Sequence, residues 1–230
     1  MDLAARVAPL TLARDRALPV AEPLAPFFPD GVIVRGRVLG CAGCAATTLA
    51  LSLAAEATAA GSWLAAVGIP SLGVDAACEA GVVLERLVAV DADPANVKDW
   101  AERVAAAIDG FDLVLATPPA RSATVMSKLR RRVQSRGAVL LLIGERRALS
   151  TGDQADMVID TADAEWDGLG DGHGHLRRRR VVVSATGRRI PRPVERDLWL
   201  PGVSAAVESV AARQVHADPA VGSPELERAG

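Results

Sequence analysis

The segment Arg37-Val-Leu-Gly-Cys-Ala-Gly-Cys-Ala-Ala-Thr-Thr-Leu49 has the outline of a phosphate-binding loop without its reactive side chains. Such a loop reads Gly-x-x-x-x-Gly-Lys-[Ser/Thr]. Its backbone N–H groups cradle the phosphates, the Lys reaches the β/γ oxygens and the hydroxyl holds Mg²⁺. On that template Gly40 and Thr47 match, with Thr48 as a second hydroxyl. Ala45 stands where the second Gly belongs, and Ala46 stands where the Lys belongs. The chain has only two lysines, Lys98 and Lys128, so none is near enough in sequence to substitute. The frame of a nucleotide site is there, and the chemistry is not.

Three other groupings carry possible chemistry. Cys41-x-x-Cys44, after a strand and before a helix, has the placement of a thioredoxin-like redox pair, where a helix N-terminus lowers a thiol pKa. The aromatic and Pro residues usual around such pairs are missing, so small residues filling a vestigial loop are the competing reading. Gly172-His-Gly-His175 has two of the three histidines, with the third, His216, in the expected tail and no Cys near in sequence, and reads as a hairpin tip rather than a metal site. The arginines form the third grouping. Arg130, Arg131 and Arg132 lie on one expected helix, and Arg178, Arg180, Arg188 and Arg189 lie in or after one expected strand. Either set could meet the phosphate backbone of DNA or an acidic partner. Alternatively they form solvated faces and a strand edge kept soluble by charge. With so few aromatics interleaved, a stacking platform for single-stranded DNA is not supported.

The elements that must position these groups alternate along the chain. Strand Gly36–Gly40 precedes a helix near Thr47–Ala60, and strand Trp63–Val67 precedes a turn at Gly68-Ile-Pro70 and a helix near Val74–Ala80. Strand Leu87–Val90 leads to a helix near Pro94–Ile108, strand Leu113–Ala116 to a basic helix near Ala123–Arg136, and strand Ala138–Ile143 closes the series. Short continuous apolar strands spaced by helical stretches predict a parallel sheet covered on both faces. Beyond Asp153 the texture changes: Asp156–Asp160 and Leu176–Ala185 read as antiparallel strands, with a last short strand around Leu198-Trp-Leu200. Residues 1–30 read as a lead-in and interaction segment, 31–202 as the core, and 203–230 as a flexible tail.

Composition sets the outer bounds. Half of the 230 residues are apolar, but only seven are Phe or Trp and none is Tyr, which suits layers packed from small side chains. The net charge of −2 excludes a polycation, yet 24 of the 26 basic residues are Arg and they are clustered. Residues 120–150 carry eight basic residues against Glu145, residues 151–171 seven acids and no base, and residues 177–196 eight Arg against Glu195. Three Cys and no long apolar run predict a soluble cytoplasmic chain.

A parallel core with a P-loop-like first turn and an antiparallel extension resembles the RecA-type ATPase core across roughly residues 20–200. Arg37–Leu49 sits where that family has Walker A, and Phe111–Thr117 where it has the Walker B strand, with Ala116 or Thr117 at the position of the Asp. Within the superfamily the chain resembles the actinobacterial ImuA-type (ImuA′) accessory proteins of the mutasome. Ala60-Gly-Ser-Trp63, Gly68-Ile-Pro-Ser-Leu-Gly73, Leu198-Trp-Leu-Pro-Gly202 and the Pro-rich lead-in carry that resemblance. The loss of Lys, of the Walker B Asp and of any acid after strand Trp63–Val67 removes charge neutralisation, Mg²⁺ coordination and water activation together.

The resemblance therefore implies a pseudo-ATPase with no catalytic residue, no cofactor and no metal. It implies a role in DNA-damage-induced, error-prone translesion synthesis, with nucleoid association on damage. The implied partners are an ImuB-type inactive Y-family polymerase and, through it, an error-prone C-family polymerase and the sliding clamp. Direct DNA contact and self-association through the N-terminal segment belong to the same expectation. Two alternatives stand beside it: a SulA-like cell-division inhibitor and a thiol redox protein using Cys41 and Cys44.

Overall fold

The computed structural model describes residues 17–93, 95–119, 123–150, 154–170, 173–187, 190 and 193–210. Most of the expected N-terminal interaction segment (1–16), Arg188, Arg189, the hairpin tip at 171–172 and residues 211–230 of the expected tail lie outside the described residues.

The chain is mixed α/β, built on one nine-stranded, mostly parallel sheet. Its strands are β3 (Arg37–Gly43), β4 (Leu64–Val67), β5 (Leu87–Val90), β6 (Leu113–Ala116), β7 (Val139–Ile143), β8 (Met157–Gly170), β9 (His173–Gly187), β10 (Val194–Trp199) and β11 (Glu208–Ser209). They lie in the order β11-β10-β9-β8-β3-β7-β6-β4-β5. From β5 to β8 every pairing is parallel, and from β8 to β11 every pairing is antiparallel. A small antiparallel pair, β1 (Ala17–Pro19) with β2 (Val32–Val34), stands apart from this sheet. The helices are α1 (Ala46–Ala59), α2 (Val74–Glu79), α3 (Val97–Gly110), α4 (Ala123–Arg136) and α5 (Arg146–Ser150).

Alternation along each parallel strand sends successive side chains to opposite faces, and the two faces make two cores. Leu39, Cys41, Leu113, Leu115, Val139 and Leu141 meet α1 and α2 on one side. Val38, Ala42, Val114, Leu140 and Leu142 meet α3, α4 and α5 on the other. Both faces of the parallel strands are buried, which is why these strands are apolar throughout rather than alternating. Small residues let α1 sit close: nine of its residues are buried, four of them Ala. The helix α3 carries one apolar stripe through Trp100, Val104 and Ile108, and starts where the Asn96 side chain accepts the N–H of Asp99.

Several boundaries differ from the sequence expectation, and the strands expected at Asp156–Asp160 and Leu176–Ala185 run on as Met157–Gly170 and His173–Gly187. The strand expected to end at Gly40 continues to Gly43, because β8 pairs with it as far as Gly43↔Thr161. Residues 17–30 are not a detached lead-in: Leu18, Leu24 and Phe27 are buried in the α1-side core. The expected tail begins too early, since Glu208–Ser209 pair with β10 and Val207 is buried. The helix α5 and the β1–β2 pair were not anticipated at all.

Candidate functional site

The strand β3 and the helix α1 meet in a two-residue turn, Cys44–Ala45, at the C-terminal edge of the parallel strands. In open α/β sheets this edge is where ligands bind, at the point where strand order reverses. An open cleft of about 630 Å³ lies there, bounded by Gly43–Thr48, by Ile143–Arg146 and by Asp160.

Gly40, the first glycine of the loop template, is not in the turn. It lies inside β3 between Leu142 and Val158. A Cβ at Gly40 would come within 3.2 Å of the Leu149 and Val158 side chains, so this glycine serves packing. Gly43 makes the turn, with φ of 88°. A Cβ at Gly43 would lie 1.9 Å from the Thr161 carbonyl oxygen.

That close approach is the central feature of the site. The Cys44 N–H donates to the Thr161 carbonyl at 3.0 Å. The Ala45 N–H donates to the Thr161 hydroxyl at 2.8 Å, and that hydroxyl donates in turn to the Ala42 carbonyl at 3.0 Å. Two backbone donors that a phosphate-binding loop would turn toward its ligand are therefore taken by β8. Thr161 is 2 % exposed, so the two hydrogen bonds of its hydroxyl are shielded from water. The N-cap of α1 is Ala45, which supplies no side-chain acceptor. Ala46, in the place of the Lys, is half-buried; Thr47 is exposed and Thr48 half-buried.

A cation does reach the turn, on the α1 face of the sheet, from β9 two strands away. Arg179 of β9 donates to the Leu200 carbonyl at 2.8 Å, to the Cys44 carbonyl at 3.4 Å and to the Thr48 hydroxyl at 3.3 Å. Its guanidinium lies 5.1 Å from the ring centroid of Trp166. Directed at a carbonyl and a hydroxyl of the turn, Arg179 ties β9 and β10 to α1. Across the cleft Arg146 pairs with Asp160 at 3.0 Å, and exposed Glu145 stands beside them.

At the expected Walker B position, Ala116 is buried and Thr117 half-buried at the end of β6. The strand β7 separates β6 from β3, and neither residue lines the cleft. Cys41 is fully buried, and burial pushes its thiol up to about 12. Cys44 is exposed, with its Sγ donating to the Thr161 carbonyl at 3.4 Å. A thiol held so far above neutrality is a poor redox nucleophile.

Among the described residues, the candidate binding arginines are not gathered into one free basic face. Arg130 is half-buried and pairs with Asp156. Arg132 and Arg136 share Asp109, at 2.8 and 3.0 Å from their Nε atoms. Arg178 pairs with Asp167 at 2.8 Å and stacks 3.8 Å from the Trp199 ring centroid. Arg180 pairs with Asp197 and lies 3.9 Å from Glu165. The acidic run at 151–171 thus supplies counter-ions to both basic runs. Arg131 is exposed.

Sequence reasoning missed Thr161, Arg179 and the Arg146–Asp160 pair. One local signal existed. Met157, Ile159 and Thr161 share the inward period of β8, so a hydroxyl at the third inward position needs a partner.

A family model described as the MT3502 N-terminal domain matches residues 26–148. An uncharacterized protein of Mycobacterium tuberculosis, Rv3395c, is 39% identical over 113 residues, which cover 46% of this chain and 52% of that protein. The chain thus spans about half the length of the curated relative it matches. The family match takes in β3, the turn, α1 and the Ile143–Arg146 wall of the cleft, and stops before β8. Covering more than half of the chain, it shows that the chain belongs to the MT3502 N-terminal domain family.

Proposed function

We propose that the protein is a non-catalytic, RecA-like accessory factor of the ImuA type, acting by binding in DNA-damage-induced, error-prone translesion synthesis. One observation carries the non-catalytic part: Thr161 occupies the N–H groups of Cys44 and Ala45, where phosphate would have to sit. Neither lysine stands at the cleft, since both lie on the other face of the sheet, in α3 and α4, and the two arginines beside it are engaged, Arg146 with Asp160 and Arg179 with the Leu200 and Cys44 carbonyls. Supporting the RecA-like part is the architecture: a parallel core followed by an antiparallel extension, with the loop-bearing strand in the middle of the nine-stranded sheet. The mutasome role and its partners rest on the sequence resemblance.

In this reading the chain binds an ImuB-type inactive polymerase and, through it, an error-prone C-family polymerase and the sliding clamp. DNA contact through Arg132, Arg178 or Arg180 would have to displace the carboxylates that now hold them. The thiol redox alternative loses its footing with Cys41 sealed in the core. A pull-down of the tagged chain from DNA-damaged cells tests the reading. Recovery of a translesion polymerase complex supports it. Recovery of the cell-division GTPase instead would favour the SulA-like alternative, and a thiol-exchange partner trapped through Cys44 would favour redox chemistry.

A further inference from the structure

The helices α3 and α4 lie side by side on one face of the sheet, and their outer surfaces leave a groove of about 480 Å³. Its floor is Ala101 and Ala105 from α3 with Val125 and Leu129 from α4. These positions repeat at i and i+4, so each helix contributes one apolar stripe. The two alanines keep the α3 side shallow, which leaves width for another helix to lie between them.

The rim is charged, with one sign in excess. Lys98 and Lys128 flank the groove against Glu102, while the charge of Arg132 is met by Asp109. These are the chain's only lysines, in a protein with 24 arginines, and both are at this groove. Lys98 is only loosely engaged, 3.9 Å from a largely exposed Glu102. Lysine stems can lie along apolar surface while their ammonium groups swing to meet a ligand. At the far end Asp109 clasps Arg132 and Arg136, fixing α3 against α4 so that the groove is preformed.

We infer that this groove is a docking site for an acidic amphipathic helix of another protein, with apolar residues at helical spacing on one face and Asp or Glu along both flanks. The inference rests on the reading of the chain as a binding protein and adds the surface and the chemistry of its partner. Apolar anchors would fill the floor over Ala101 and Ala105, and flanking carboxylates would meet Lys98 and Lys128. A nucleic acid fits less well, since its phosphates would leave the aliphatic floor uncovered and no aromatic side chain is there for stacking. A second copy fits less well too. This chain's own acidic run lies in β8, and its Asp156, Asp160 and Asp167 are held by arginines of the same chain.

The test places p-benzoylphenylalanine at position 105, and in a second variant at exposed position 102, in the full chain expressed in DNA-damaged cells. Position 102 keeps the test sound if bulk at 105 disturbs packing. The expected result is a cross-link to another protein, mapped to a segment with excess Asp and Glu and apolar residues three and four apart. Lys98→Glu combined with Lys128→Glu should reduce that cross-link about tenfold or more, as expected for reversed charges at an interface. Cross-links to nucleic acid, to this chain itself or to a segment of other chemistry would overturn the inference. So would no cross-link at either position while the tagged chain still recovers its partner, an outcome that leaves the binding-protein reading standing. Failure to recover any partner would remove both.

Discussion

Thr161 and Ala45, 116 residues apart, share a hydrogen bond of 2.8 Å from the Ala45 N–H to the Thr161 hydroxyl. The same hydroxyl donates to the Ala42 carbonyl, so one buried side chain closes both ends of the β3–α1 turn. Thr161→Val keeps the volume and removes the hydroxyl, leaving a buried donor and a buried acceptor without a partner. The expected cost is about 1–3 kcal/mol, read as a lower urea midpoint at unchanged slope. Thr161→Ser should lose less, because it keeps the hydroxyl. A neutral Thr161→Val would mean the turn is held by other contacts.

Two glycines should respond in opposite directions. Gly43 has φ of 88° and no room for a Cβ beside the Thr161 backbone, so Gly43→Ala should lower the melting temperature sharply or abolish soluble expression. Gly110 ends α3 with nothing within 4 Å of where a Cβ would sit, so Gly110→Ala should be neutral or gain roughly 0.4–1 kcal/mol. Thermal melts of the pair check both signs. Equal effects would contradict the assigned role of Gly43.

The parallel half of the fold was legible because its signal is local. The runs Leu113–Ala116 and Leu87–Val90 are short, continuous and bounded by breakers, and the structure keeps those limits. The strand, tight turn and helix around Ala45 and Ala46 were legible from the local residues alone. The plugging of the turn was not, because Thr161 reaches it from a strand more than a hundred residues away. Long-range pairing also hid the fate of the arginines. Blocks of like charge looked like open faces, yet Asp109, Asp156, Asp167 and Asp197 meet them in the folded chain. The end of β3 was misplaced for the same reason, since β8 sets it.

Asp109 makes the α3–α4 clasp pH-dependent. Hydrogen bonding and charge attraction from Arg132, with help from Arg136, hold its carboxyl down at about 2, below an ordinary value of 3.8. A carboxylate depressed by folding contributes stability that is fully present above its unfolded pKa and is lost as pH falls through its folded pKa. The contribution should therefore fade between about pH 4 and pH 2. The measurement is urea unfolding of wild type and Asp109→Asn across that range. The variant should be less stable at pH 6, and the two curves should converge by pH 2. A constant offset at every pH would contradict this role.

The thiols should divide by burial. At pH 8 the native chain should react with a thiol reagent at two positions, Cys44 and Cys78, which are exposed. The third, Cys41, should react only after unfolding, since burial raises its thiol to about 12. Burial penalises only the thiolate, so Cys41 should leave stability unchanged below about pH 9 and lower it progressively above, as the unfolded thiol ionises while the folded one stays protonated. Rapid reaction of three thiols in the native state would restore Cys41 and Cys44 as a redox pair.

The central claim is that the P-loop-like turn is closed to phosphate, and phosphate release from MgATP tests it most directly. Purified protein, with and without DNA, should release no more phosphate than a blank. Ala46→Lys should not restore turnover, because no carboxylate stands at the end of β6 and Thr161 still occupies the turn. Turnover that co-purifies with the chain and disappears with Thr47→Ala and Thr48→Ala would contradict the account.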